Sequence, residues 1–267
     1  MQRNRSPGSE GSSGFGPLLG KPHRNSSQSL KGNAARGSFI GASWILDKDR
    51  NGGLCCAHGM ACHGVPMDTV KFTQMKDGDR EDYAFLNIHE TEYAAGTADR
   101  LLTAMVELDK SMSGYKITRL GHSLQAATRA WNAGADIDWV VSALLHDIGD
   151  IYAPYNHDEY AATILRPFVR EQCAWVVQTH GDFQMAYYAQ HVGGNPNKRE
   201  VFRGNPYFDD CAEFCEKWDQ NSFDPDYETK PLEFFAPMVR EIFARKAYSP
   251  AVIKKGIRVP LSGIVRQ

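Results

Sequence analysis

Between Asp136 and Gly149 a strongly apolar stretch, carrying Trp139, Val140, Val141, Ala143, Leu144 and Leu145, runs straight into the adjacent pair His146-Asp147. Burying two ionisable groups beside that much aliphatic surface is costly unless something satisfies them. A divalent cation does so by drawing an imidazole and a carboxylate onto one centre. A fold built from this chain must therefore take an apolar helix into its interior and open a polar site where that helix ends. Asp136 stands where an N-cap would be, just ahead of the first apolar residue.

The surrounding sequence is helical in period from Asp77 onward. Asp79–Tyr93 ends before Gly96, Ala98–Met112 carries Leu101, Leu102, Met105, Val106 and Leu108 at helical spacing, and Ile117–Ala133 stops at Gly134. Further helices are expected at about 157–166, 168–179, 182–191, 206–222 and 231–246, with Pro, Gly and Asn between them. No period-2 strand and no internal repeat is evident. The expected architecture is an all-α helical bundle over residues 77–248, with a short C-terminal tail at 249–267 and a disordered or irregular N-terminal segment at 1–76.

Composition sets that first segment apart. Residues 1–46 hold six Lys/Arg and the single acid Glu10, whereas the whole chain of 267 residues has a formal net charge of −2. Rich in Gly, Ser, Asn and Pro, the head cannot bury enough apolar surface to offset its ordering entropy. An Arg/Ser-rich, acid-poor N-terminus also has the composition of an organelle transit peptide, although no amphipathic helix is evident in it. The near-neutral total gives no global attraction to nucleic acid or anionic lipid. No run of about 18 uncharged apolar residues exists that would cross a bilayer. Six cysteines in a chain this long read as reduced thiols in a cytoplasm-like compartment. Cys55-Cys56-Ala57-His58 with Cys62-His63 is one crowded knot rather than the two separated pairs of a structural zinc site, and reads as irregular chain with incidental thiols.

Other candidate ligands lie outside the pair. His122 stands in Leu120-Gly121-His122-Ser123-Leu124-Gln125-Ala126-Ala127, and Asp219 follows Cys215-Glu216-Lys217-Trp218 late in another amphipathic segment. The order His … His-Asp … Asp on an all-helical background resembles the HD-domain superfamily of metalloenzymes, over about residues 80–245. The resemblance implies one metal held by His122, His146, Asp147 and Asp219. Binuclear members of the superfamily carry two more histidines, at positions that His157 and His180 match here, with the aspartate of the pair bridging both metals. Six nitrogen and oxygen ligands suit two iron or manganese ions and leave positions open for water and substrate. His89 and His191 match no ligand position, and His23, His58 and His63 lie outside the domain.

Two reactions compete. In phosphohydrolase members a metal-bound water is the nucleophile, and an acid three residues after the paired Asp moves protons; Asp150 has that spacing from Asp147. In the other branch, the mixed-valent di-iron oxygenases of the myo-inositol oxygenase and organophosphonate dioxygenase group, two irons activate O₂ for C–H abstraction. The stretches His122–Ala127, Ala133–Asp136 and Leu144–Gly149, with Trp218-Asp219 and Phe223-Asp224-Pro225, are similar to the organophosphonate enzymes. Those enzymes have a Tyr and a Glu ahead of the first His; here Met112 and Tyr115 stand in their places, so that pair is absent or rearranged. Lys116, Arg119 and Gln125 are candidate substrate binders, with Lys217, Arg240 and Gln184 behind them, Arg being the better grip on phosphate or phosphonate oxygens. The expected function is oxidation of a small polar metabolite, for example one bearing a phosphonate, at a di-iron centre, with O₂ as co-substrate. A phosphohydrolase of a phosphomonoester or nucleotide is the alternative, and an idle HD-fold module docking through its basic head is a third.

Overall fold

The computed structural model describes residues 68–263. The chain divides into two units, Met1–Cys62 and His63–Gln267, and the first lies wholly outside the described residues. So do the basic head, the Cys55–His63 knot and His23. Among the described residues the secondary structure is helical throughout, with no strand, as the all-α reading expects.

The described residues form nine α-helices in order: α1 Arg80–Ala95, α2 Thr97–Glu107, α3 Arg119–Asn132, α4 Ile137–Leu145, α5 His157–Leu165, α6 Glu171–Tyr188, α7 Phe208–Phe214, α8 Leu232–Phe243 and α9 Pro250–Ile253. Capping chemistry sets their starts. Asp79 accepts from the amides of Glu81 and Asp82 while Asp82 accepts from the Asp79 amide, a reciprocal box. Thr118 caps α3 through the Gly121 amide, and Asp136 caps α4 through the Trp139 amide.

Helix α4 is the axis of the core. Trp139, Val140, Val141, Ala143, Leu144 and Leu145 are all fully buried, and the helix packs against α3, α6 and α8. Each of the valine and leucine side chains contributes about 1.5–3 kcal/mol on burial, which holds the end of α4, and so His146, deep in the molecule.

Two expectations need correction. The two helices expected at 168–179 and 182–191 are one, α6, running through Gly181. A Cβ at Gly181 would stand 3.0 Å from Asp158 Oδ2, so the glycine there serves a close approach of α5 rather than a stop. The helix expected at 206–222 is α7 continued by a π-helical segment, Cys215–Asp219, in which the Gln220 amide reaches back five residues to the Cys215 carbonyl at 3.0 Å. Within the C-terminal stretch, expected as a short tail, Leu261 is buried in the core, Trp139 Nε1 donates to the Val259 carbonyl, and Arg258 pairs with Asp210 at 2.7 Å.

Candidate metal centre

Five elements deliver the polar residues to one place. His122 lies on the second turn of α3, His146 directly follows α4, His157 opens α5, His180 sits inside α6, and Asp219 closes the π segment. Gly149 makes the approach of α5 possible, because a Cβ there would collide with the His157 backbone.

The orientation of three rings follows from hydrogen bonding. His122 Nδ1 contacts the Ser222 carbonyl at 2.8 Å, His146 Nδ1 the Ala143 carbonyl at 2.7 Å, and His180 Nδ1 the Val177 carbonyl at 2.6 Å. A carbonyl only accepts, so each Nδ1 carries a proton and donates. In the neutral ring, each Nε2 is then left as a bare lone pair.

Those lone pairs converge on two carboxylates. Asp147 Oδ2 stands 3.2 Å from His122 Nε2 and 3.3 Å from His146 Nε2. Asp219 Oδ1 stands 3.3 and 3.6 Å from the same two nitrogens. The other oxygen of Asp147, Oδ1, faces His157 Nε2 at 3.3 Å and His180 Nε2 at 3.4 Å. All are buried except His157, whose side chain is one quarter exposed. Three groups here could hold a metal ion: His122 with His146 and Asp147, His146 with His180 and Asp219, and Asp147 with His157 and His180.

The residues fit a cation on three grounds. His122 Nε2 and His146 Nε2 are 3.1 Å apart, and with both Nδ1 atoms protonated neither neutral ring has a proton for the other. Asp219 Oδ2 is buried without a hydrogen-bond partner, an expensive position for a carboxylate oxygen. The donor set is nitrogen and oxygen throughout, with the nearby Cys215 kept out of it: burial pushes its thiol well up, and it contacts the His180 carbonyl instead.

Electrostatics bind the cluster tightly. Burial alone would raise Asp147 and Asp219, but the facing imidazoles, with Arg119 beside Asp147, hold both carboxyls far below the usual carboxylate range. Burial would lower His122 and His146, yet the two carboxylates outweigh it and raise both, His146 well above its ordinary value.

A cleft of about 430 Å³ opens onto these groups. Among the described residues that line it, Arg119 is the only Lys or Arg, and it is buried against carboxylates rather than free. Its Nε donates to Asp150 Oδ2 at 2.7 Å and its Nη2 to Asp147 Oδ2. Asp150 also faces His157 Nδ1 at 3.7 Å. Phe223 stacks on the His122 ring at 4.3 Å and on Tyr115 at 4.9 Å, so Tyr115 does reach the cleft, as does Met112. Tyr187 and Tyr188 line it too, burial pushing the Tyr187 phenol up to about 12.

The structure thus brings His122, His146, Asp147, His157, His180, Asp219, Asp150 and Arg119 together, with Gln184 in the cleft wall. It does not bring the remaining candidates there. Lys116 is exposed and outside the lining. Gln125 is buried with its amide on the backbone of Asp224. Lys217 pairs with Glu213 and Arg240 with Asp99 on the surface. Sequence reasoning missed the Ser222 carbonyl and the stacking of Phe223, neither of which has a local signal.

No curated protein matches the chain. Residues 119–207 match the family model of the HD domain, a span that takes in every residue of the cluster except Asp219.

Proposed function

We propose that this chain is a binuclear HD-domain enzyme that oxidises a small polar metabolite with O₂, with iron as its metal. The observation that carries the reading is the division of Asp147, whose Oδ2 faces His122 and His146 while its Oδ1 faces His157 and His180. One carboxylate between two imidazole pairs suits two ions, the first completed by Asp219. Iron held there would supply the redox chemistry.

Oxidation is favoured over phosphoester hydrolysis by what surrounds the site. The acid that hydrolysis would use as a proton carrier, Asp150, has its charge committed to Arg119. Arg119 in turn is occupied by two carboxylates, so the described residues lining the cleft offer a phosphate no free cation. Gln184, Tyr187 and Tyr188 supply neutral hydrogen-bonding groups to a small substrate, and Phe223 with Tyr115 forms an aromatic wall beside His122.

The test is anaerobic loading with Fe(II), followed by metal counting and two assays. Oxygen uptake is measured with a panel of hydroxylated phosphonates and polyols, and hydrolysis with p-nitrophenyl phosphate in the presence of Mn(II) or Co(II). The expected result is close to two irons per chain, oxygen uptake on some member of the panel, and no metal-dependent hydrolysis. Metal-dependent hydrolysis with no oxygen uptake would replace this reading with the phosphohydrolase.

A further inference from the structure

The segment that follows the π-helical turn is fastened along one face of α3. Besides the bond from His122 Nδ1 to the Ser222 carbonyl, Gln125 Nε2 donates to the Asp224 carbonyl at 2.6 Å and Gln125 Oε1 accepts from the Asp224 amide at 3.3 Å. Arg129 Nη2 donates to the Asn221 carbonyl at 2.8 Å, and Asn132 Nδ2 to the Tyr227 hydroxyl at 3.2 Å. Positions 122, 125, 129 and 132 recur every three or four residues and so share one helix face.

Gln125 holds the middle of this fastening. It is 3% exposed, and both ends of its amide are used by a single residue of the opposing segment. Two residues before Asp224 is the carbonyl that sets the His122 tautomer, and between them is Phe223, whose ring stacks on the His122 ring. We propose that Gln125 is a positioning residue of the metal centre: by clamping Asp224 it keeps the Ser222 carbonyl on His122 Nδ1, and so presents His122 Nε2 to the ion. The inference rests on the metal-binding part of the function proposed above. Outer partners of metal-bound histidines fix ring orientation and basicity, and losing one costs about 10- to 100-fold in affinity.

The experiment uses the full chain and Co(II), titrated with visible absorption and competed with a chelator. Gln125→Met keeps length and volume while removing both hydrogen bonds. The expected result is a loss of about 10- to 100-fold in affinity for one ion, with altered absorption bands for that ion and no change for the other. Asn132→Ala, which loosens the same segment far from Ser222, is expected to leave both affinities at the parental value. Should Gln125→Met not fold, Gln125→Glu, which retains the acceptor for the Asp224 amide, carries the same measurement. Parental affinity and bands in the folded Gln125 variant would overturn the inference, as would an equal loss in Asn132→Ala.

A second readout separates this proposal from the metal reading. In the chelated protein the His122 Nδ1 proton should give a slowly exchanging downfield imidazole signal that Gln125→Met abolishes. A parent chain that binds no Co(II) would remove the metal reading, and persistence of that signal in the variant would then remove the role of Gln125 as well.

Discussion

Gly149 lies against the backbone of His157 so closely that a Cβ on it would stand 2.3 Å from the His157 carbonyl oxygen and 2.6 Å from its Cα. Both obstacles are main chain, so neither yields by a rotamer change. Gly149→Ala must push the start of α5 away from the turn that carries Asp147. The expected cost is about 1–3 kcal/mol or more of stability, seen as a lower denaturant midpoint, together with weaker binding at the His157 side of the centre.

The division of Asp147 separates the two halves of the site by mutation. Asp147→Ala is expected to lose both ions, and His157→Ala only one, because His157 faces Oδ1 alone. Metal analysis after gel filtration under argon reads the stoichiometry. Two tightly held ions in His157→Ala would make this residue a helix-starting histidine and nothing more.

Protons and metal compete for the same nitrogens. With His122 and His146 raised by their carboxylate neighbours, metal binding must expel protons, so apparent affinity should climb as pH rises through 6.5 and continue beyond neutrality. In chelated protein the raised histidines contribute stability that is full below their unfolded value of 6.5 and is lost as pH passes their folded values. The depressed Asp147 and Asp219 contribute stability above 3.8 that is lost as pH falls toward their folded values. The chelated protein should therefore melt at lower temperature at pH 9 than at pH 6, and the metal-loaded protein should not. Melting curves with and without chelator check this, and parallel curves would show that the imidazoles do not titrate in the folded state.

Asp150→Asn removes a charge while keeping size and hydrogen bonding, and Arg119 retains its contact with Asp147. Metal content should be unchanged, and oxidative turnover should fall by less than about tenfold, about 1.4 kcal/mol in the barrier. A loss near 10³-fold, as expected for a proton-transferring group, would give Asp150 a direct part in the chemistry.

Leu261 is 1% exposed within the core. Leu261→Ala should cost about 2–5 kcal/mol, whereas an unattached tail would register nothing. Chemical denaturation distinguishes the two.

Local pattern and long-range contact account for what the sequence revealed and what it hid. The burial of α4 and its arrival at His146-Asp147 were legible because the apolar run and the polar pair are contiguous. His157, His180 and Asp219 were recognisable through their order along the chain, which the resemblance supplied. Gly181 misled because an isolated glycine reads as a break, and only the nearness of Asp158 explains it. Gln125 and Lys116 were candidate substrate binders on residue type alone; one side chain turned to Asp224, a partner 99 positions away, and the other to solvent. The packing of the C-terminal stretch was not legible because a single leucine, one hydrogen bond to a backbone carbonyl and one ion pair leave no periodic trace.

The widened turn at Cys215–Asp219 has a consequence for how mutations in this protein should be read. Trp218 packs edge-on against Trp139 at 6.0 Å and Phe214 at 5.6 Å, and its neighbour Asp219 faces the two imidazoles. If the turn closed to ordinary helical pitch, every residue after it would swing by about 100° around the axis, and the carboxylate would leave the site. An indole packed in the core thus stands directly beside a residue to which the proposed function gives a ligand's part. Screens that sort variants into those affecting stability and those affecting activity will find Trp218 in both groups, because here shape and reactivity are inherited through the same residue.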